Sequence, residues 1–152
     1  MAEFTSNAIQ LVQPNQPVVL SGSFWGRRNY IFHQGESGIV TLRGIVNNPY
    51  AEWALYQVTF NGNIALPTGA TVGPIAVAIA RNGEPILTSR AIVTPAAVGQ
   101  YFNVTSTAFI VVPRGCCFDI SVENVSESAT PATTPAPAIN VQNANLVVSR
   151  VA

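Results

Sequence analysis

The residues that could do chemistry are few and widely spaced. The chain has one histidine, His33, and two cysteines, Cys116 and Cys117, which are adjacent. A hydrolase needs a nucleophile, a base and an orienting acid, and His33 with Glu36 and either Cys117 or a serine is the one set that can be considered. Because His33 stands beside a turn, we interpret it as a surface or interface residue. We predict no catalytic residues and no enzymatic activity.

The sequence also lacks the groups of residues that metal and cofactor sites need. Zinc takes three or four Cys, His or carboxylate ligands, and adjacent cysteines on a strand point to opposite faces, so one subunit does not supply them. A threefold axis could gather three copies of His33, which is the alternative left open. The seven acidic residues are spread singly, so no carboxylate pair for glycoside hydrolysis is indicated, and no phosphate-binding glycine motif occurs. We predict no metal and no cofactor.

The low content of charged residues argues against two classes of partner, nucleic acids and membranes. Hydrophobic residues make up 48% of the chain and charged residues 9%, against roughly 25% charged in ordinary soluble domains. All seven basic residues are arginines, and seven acids cancel them. Nucleic-acid binding needs a basic surface, and a membrane-spanning helix needs about 20 apolar residues in a row. We therefore predict no nucleic acid and no membrane, and we interpret the charge deficit as surface buried between copies of the chain.

Short alternating segments separated by turn residues predict an all-β fold. Residues 75–80 alternate Ile or Val with Ala and run into Asn82-Gly83, a strong signal for a tight hairpin. Arg81 and Glu84 would then form an ion pair across that turn. A second hairpin joins residues 102–112 to 117–123, with Cys116 inside and Cys117 outside.

We predict one domain over residues 1–152, with about ten short strands in a sandwich or barrel. Residues 1–16 are predicted to be an N-terminal extension. Residues 127–138, rich in Pro and Thr, are predicted to be an exposed loop. The first residues contain neither a basic region nor an apolar stretch of the secretory type, so we expect synthesis in a reducing cytosol.

Two predicted strands are apolar on both faces, although only one face of a sandwich sheet meets the core. A neighbouring subunit would cover the second face, and packing beneath a loop is the alternative. The predicted interface residues are Ala76, Ala78, Ala80, Leu146 and Val148, together with the arginine pair Arg27 and Arg28.

Three aromatic residues are candidates for ligand contact. Trp25, Tyr50 and Trp53 stand in segments predicted as loops, where exposed Trp and Tyr bind sugars or anchor protein partners. The alternative is that they close the ends of the sandwich.

Three segments in order resemble the C1q/TNF-like jelly-roll family. The resemblance covers about residues 38–152 and consists of strand and turn patterns, which are Ile75–Ile86, Thr107–Val122 and Ala144–Val151. It implies an antiparallel jelly-roll sandwich of about ten strands, a compact homotrimer with the terminal strand at its centre, and no enzymatic activity.

The collagen-like stalk that bacterial members of the family carry is absent from this sequence. The versions that the chain most resembles are phage virion proteins, namely capsid decoration proteins, head fibres and spikes. We therefore expect a homotrimeric structural subunit of a phage virion, with capsid proteins as partners. The alternatives are a receptor- or glycan-binding module that contacts a host-surface glycan, and a bacterial cell- or spore-surface protein of the same fold.

Overall fold

The computed structural model describes residues 1–25, 30–128 and 134–152 of the chain. Within these ranges the secondary structure is almost entirely β, which confirms the predicted fold class. The strands are β1 (Ala2–Ser6), β2 (Gln10–Val12), β3 (Gly22–Trp25), β4 (Ile31–His33), β5 (Val40–Arg43), β6 (Trp53–Ala65), β7 (Ile75–Arg81), β8 (Glu84–Pro85), β9 (Ala91–Val93), β10 (Phe102–Pro113), β11 (Cys117–Asn124) and β12 (Ile139–Arg150), and a 3-10 turn covers Leu87–Ser89.

The strands form two antiparallel sheets. In the first sheet the order is β10-β6-β12-β1-β3, with β2 also pairing with β12. In the second sheet the order is β4-β5-β11-β7-β8, with β9 also pairing with β7. Neighbours such as β6 and β12 are far apart in the chain, so the connections cross between the sheets as in a jelly roll. The described residues contain no helix that could cross a membrane.

The core lies between the sheets and is built from alternate residues of their strands. Ile75, Val77 and Ile79 of β7 belong to it, and each has no exposed surface. The buried Tyr56 hydroxyl of β6 donates a hydrogen bond of 2.5 Å to the carbonyl of Arg43 in β5, which ties one sheet to the other. Burial raises the pKa of Tyr56 to about 12, so this hydroxyl remains a donor at neutral pH.

The predicted hairpin between β7 and β8 is present, whereas the second predicted hairpin is wrong, because β10 pairs in the first sheet and β11 in the second. Asn82 and Gly83 both have positive φ, 51° and 79°, which is the conformation that the two central residues of such a turn require. Arg81 and Glu84 stand opposite each other, but the predicted ion pair between them is wrong. The Arg81 guanidinium instead lies 5.2 Å from the centre of the Phe118 ring, because an exposed ion pair gains little in water and a partly buried ring offers a contact.

The prediction of an N-terminal extension is also wrong. Residues 1–16 supply β1 and β2, and β1 lies between β12 and β3 inside the first sheet. Phe4 of β1 has no exposed surface. The strand has only five residues, two of them hydroxylated, so its pattern carried little signal before pairing was known. The predicted Pro/Thr-rich loop lies partly outside the described residues.

Candidate interaction surface

The outer face of the first sheet, turned away from the core, carries the most distinctive surface of the molecule. Side chains alternate along its strands, so the odd-numbered residues of β6 and β10 point outward. On the described parts of β1, β6, β10 and β12, the one charged side chain on this face is that of Glu3. The other charged residue of these strands, Arg150, stands opposite the inward-facing Tyr56 and therefore lies on the core side of the sheet. This face is therefore almost uncharged.

One end of this face is an apolar patch formed by Trp53, Leu55, Phe109 and Val111. Pairing of β6 with β10 places Trp53 opposite Pro113 and Leu55 opposite Val111. The exposed fractions are 62% for Phe109, 49% for Val111 and 48% for Trp53. Leu55 is half-buried. A continuous exposed apolar patch of this kind marks a contact surface in soluble proteins.

The rest of this face is a polar ladder of amide and hydroxyl side chains. The side chains hydrogen-bond across neighbouring strands, so the ladder is already satisfied without a partner. Its bonds join Thr59 to Thr107 (3.2 Å), Thr105 to Asn61 (3.1 Å), Asn103 to Asn63 (3.2 Å), Asn63 to Asn143 (3.4 Å) and Asn145 to Glu3.

The patch residues Phe109 and Val111 were missed by the sequence reasoning. The strand was predicted from the alternate residues that face the core, which include Ile110 and Val112. The signal was in the other parity, where Asn103, Thr105 and Thr107 give way to Phe109 and Val111. Apolar residues on the outward parity of an otherwise polar face indicate a contact surface.

The structure places the five predicted interface residues of β7 and β12 inside the chain. Leu146 and Val148 of β12 belong to the core and have no exposed surface. Ala76, Ala78 and Ala80 of β7 face outward from the second sheet, yet each is at most 1% exposed. Side chains without accessible surface add almost nothing to an interface area, so a subunit contact has to use other residues.

The alanines are covered by the chain itself, which removes the reason for placing a partner over them. Cross-strand neighbours share a face of a sheet. Ile92 stands opposite Ala76, Glu123 opposite Ala78 and Pro85 opposite Ala80. Each neighbour has a larger side chain than alanine, so the alanine methyl groups lie low between larger side chains. Arg27 and Arg28, also predicted for the interface, lie outside the described residues.

The structure distributes the three predicted ligand-contact residues over one loop and two strands. Tyr50 lies in the loop between β5 and β6 and is 93% exposed. Trp53 begins β6 and belongs to the apolar patch. Trp25 ends β3, and its side chain is outside the described part of the structure. The prediction that Tyr50 stands exposed on a loop is confirmed, whereas Trp53 lies on a sheet face.

The loop that carries Tyr50 is held by hydrogen bonds to the turn after β10. Arg114 donates from its guanidinium to the carbonyl of Pro49 (3.1 Å) and from its backbone to that of Glu52 (2.8 Å). Gly44 donates to Cys116 at 2.9 Å. A Cβ atom on Gly44 would lie 2.1 Å from the Pro113 carbonyl oxygen, so only glycine permits this approach. The Tyr50 ring is presented on an anchored backbone.

The remaining chemical candidates are separated in space or structurally engaged. His33 Nε2 lies 2.9 Å from the Ser37 carbonyl, and its ring packs on Phe4 at 4.8 Å between ring centres. Cys116 packs against the core, Cys117 is exposed, and both are free thiols, as their alternation predicted. No group of three metal-ligating side chains occurs among residues 1–25, 30–128 and 134–152.

Comparisons with known proteins identify the fold. No protein-family model matches the chain, and no curated protein sequence matches it. Among solved structures, it is similar to the globular domain of zebrafish complement 1qA protein, with a TM-score of 0.57 and 14% identity over 99% of this chain and 97% of that one. It also matches the C-terminal domain of the sugar-binding protein EclA, with a TM-score of 0.42 and 14% identity over 95% of this chain and 79% of that one.

Two sheets with this strand order and a full-length match to a C1q globular domain confirm the resemblance seen in the sequence. The identity is far too low to transfer a ligand or a partner. The chain has the C1q/TNF-like jelly-roll fold.

Proposed function

We propose that the chain is a non-enzymatic structural subunit that assembles as a homotrimer through the outer face of its first sheet. The observation that carries the proposal is the apolar patch of Trp53, Leu55, Phe109 and Val111, on a face where Glu3 is the one charged side chain among the described residues. Exposed apolar surface is unfavourable in water, and a second copy of the chain is a partner that covers it.

The edge strand β10 supports the same arrangement. It runs for 12 residues, contains no charged residue and pairs with β6 on one side. A long uncharged edge exposes unpaired backbone groups and invites association. When an edge of one subunit packs on the face of the next, the contact is head-to-tail, and such contacts form a ring when the rotation between subunits closes. A ring of three accounts for both features with one type of contact.

The test of assembly is mass measurement under native conditions. We expect the wild-type chain to have three times the 16.1 kDa subunit mass. Phe109→Asp should give folded monomers, because three buried carboxylates would enter the interface. Ile92→Asp is the matched control, since Ile92 is 54% exposed on the second sheet. A monomeric wild-type chain, or equal behaviour of both variants, would contradict the proposal.

We further propose that this trimer is a phage virion component, as a capsid decoration, head fibre or spike. The support is the similarity of its strand and turn patterns to phage versions of the fold, together with a surface suited to packing rather than to catalysis. Capsid proteins are the proposed partners and the virion is the proposed location. Genes for capsid and portal proteins beside the coding sequence would support this, whereas spore-coat or cell-wall genes would assign the chain to a bacterial surface.

A second candidate function is binding of a host-surface glycan, and the exposure of Tyr50 favours it. A ring that is 93% exposed contributes little to folding, yet its loop is anchored by Arg114. Titration of the chain with saccharides, followed by tryptophan fluorescence, tests it. Tyr50→Ala should abolish a response that Tyr101→Ala, with 37% exposure at another loop, leaves intact. Equal responses from both variants would exclude Tyr50 as the contact.

A further inference from the structure

A depression of about 470 Å³ lies on the outer face of the second sheet, on the side of the molecule opposite to the apolar patch. Pro17 and Ile39 form apolar walls, and Asp119, Ser121 and Glu123 of β11 line it with polar groups. These three residues alternate along one strand, so they point to the same side of the sheet. The depression therefore combines apolar walls with two carboxyl groups.

Glu123 is a buried carboxyl group with incomplete hydrogen bonding. It is 6% exposed, and its one hydrogen bond from the described residues comes from the Ser121 hydroxyl at 3.2 Å. A carboxylate accepts about four hydrogen bonds. Within residues 1–25, 30–128 and 134–152, the one ion pair is between Arg90 and Glu127, so no cation compensates Glu123. Burial raises the pKa of Glu123, which reflects this missing compensation.

The second carboxyl group, Asp119, is held in a fixed position. Its Oδ1 atom accepts a hydrogen bond of 2.6 Å from the Thr41 hydroxyl. Its backbone nitrogen donates to Oδ1 of Asn82 at 2.9 Å, and its carbonyl accepts from the Asn82 nitrogen at 2.7 Å. Asp119 and Glu123 are four residues apart on one strand, which separates their Cα atoms by about 13 Å.

This spacing excludes some ligands and favours another. A metal ion needs carboxylate oxygens within about 2–3 Å of one point, which two carboxyl groups so far apart do not provide. An extended organic cation does meet the geometry, because positive ends can reach both carboxyl groups while an alkyl chain contacts Pro17 and Ile39.

We propose that this depression binds an extended organic cation, an alkyl chain with terminal ammonium or guanidinium groups, whose charged ends pair with Glu123 and Asp119. A free polyamine and a pair of basic side chains of a protein partner share this chemistry. The site is independent of the proposed trimer, since its residues lie on the other sheet.

The experiment is a nuclear magnetic resonance titration of the full chain with three probes. The probes are 1,8-diaminooctane as the free dication, acetyl-Arg-Gly-Arg amide as the pair of basic side chains, and 1,8-octanediol as the uncharged isostere of the diamine. We expect the diamine to shift the backbone resonances of Asp119, Ser121 and Glu123. The diol should not shift them, because it supplies no cation. Tighter binding of the diamine than of the arginine peptide would assign the site to polyamines, and the reverse would assign it to a pair of protein side chains.

Two carboxylate variants and one control variant test whether Glu123 and Asp119 bind the diamine. Glu123→Gln should weaken diamine binding roughly tenfold, the scale of one charge-assisted hydrogen bond, and Asp119→Asn should weaken it less because Asp119 is exposed. Glu36→Gln is the matched control, since it removes the same charge from an exposed turn residue elsewhere. The proposal fails if the diol binds as the diamine does, if neither cation binds, or if Glu123→Gln binds as tightly as Glu36→Gln.

Discussion

The outer faces of the two sheets are built from similar β-strands but differ in what they leave open to solvent. The first face exposes large apolar side chains, with Phe109 at 62%, and closes its polar groups in a ladder of hydrogen bonds. The second face closes its small apolar side chains, with Ala78 at 0%, and leaves the carboxyl group of Glu123 incompletely paired. The first face thus leaves apolar surface open to solvent, whereas the second leaves a buried carboxyl group without a cation among the described residues.

The comparison shows that the volume of a side chain decides exposure as much as its chemistry does. Alanine and phenylalanine are both apolar and both occur on outward parities here. Alanine is short, and it stands beside longer cross-strand neighbours such as Ile92 and Pro85. Phe109 extends beyond its neighbours and remains exposed. An apolar pattern on an outer face therefore indicates an interface only when the side chains are large.

The largest loss of folding free energy is expected from Ala78→Glu. If the second face is closed by the chain itself, this variant places a second carboxylate beside the buried Glu123. It should then lose roughly 3–5 kcal/mol of folding free energy, the scale of an uncompensated buried charge. Thermal unfolding across a range of protein concentrations measures it. A loss that does not depend on concentration supports closure within the chain, and a loss that disappears on dilution would restore Ala78 to a subunit interface.

A smaller but still large difference is expected between neighbouring residues of β12. Leu146→Ala removes a core side chain and should lower the free energy of unfolding by about 2–5 kcal/mol. Val147→Ala, on the half-buried outer face, should lower it by roughly 1 kcal/mol or less in the dissociated subunit. Urea unfolding of both variants at low protein concentration measures the difference. Equal losses would mean that the two faces of β12 have been misassigned.

The smallest effect concerns pH and Glu123. The pKa of this residue is raised in the folded state from its usual value of 4.5, so the folded state binds this proton more tightly than the unfolded state does. The contribution of Glu123 to the free energy of unfolding is therefore complete below about pH 4.5. It is lost as the pH rises through the higher pKa that Glu123 has in the folded state. Glu123→Gln does not ionise and should gain stability relative to the wild-type chain over that rise. Urea unfolding at pH 4 and pH 7 checks it, and a constant difference between the two proteins would contradict it.

The sequence predicted the fold well because its signals are local. The alternation in residues 117–123 predicted a strand and the opposite orientations of Cys116 and Cys117, but the strand is not half-buried as predicted, because Ser121 and Glu123 on its outward side are buried. Asn82-Gly83 predicted a hairpin because few residue pairs adopt two positive φ angles in succession. It failed for β1, whose five residues become a strand through pairing with β12 and β3, and for the Arg81–Glu84 pair, which yields to the contact of Arg81 with Phe118.

The sequence by itself determined an all-β chain, its tight turns, and a charge deficit too large for an ordinary soluble surface. Only the tertiary structure decided where that deficit lies. Parity tells which residues share a face of a strand, but exposure depends on neighbours that are distant in sequence, such as Ile92 beside Ala76 and Leu55 beside Val111. For that reason Ala78 and Leu146 lie inside the chain, Phe109 and Val111 lie open to solvent, and Glu123 is left without a cation among the described residues.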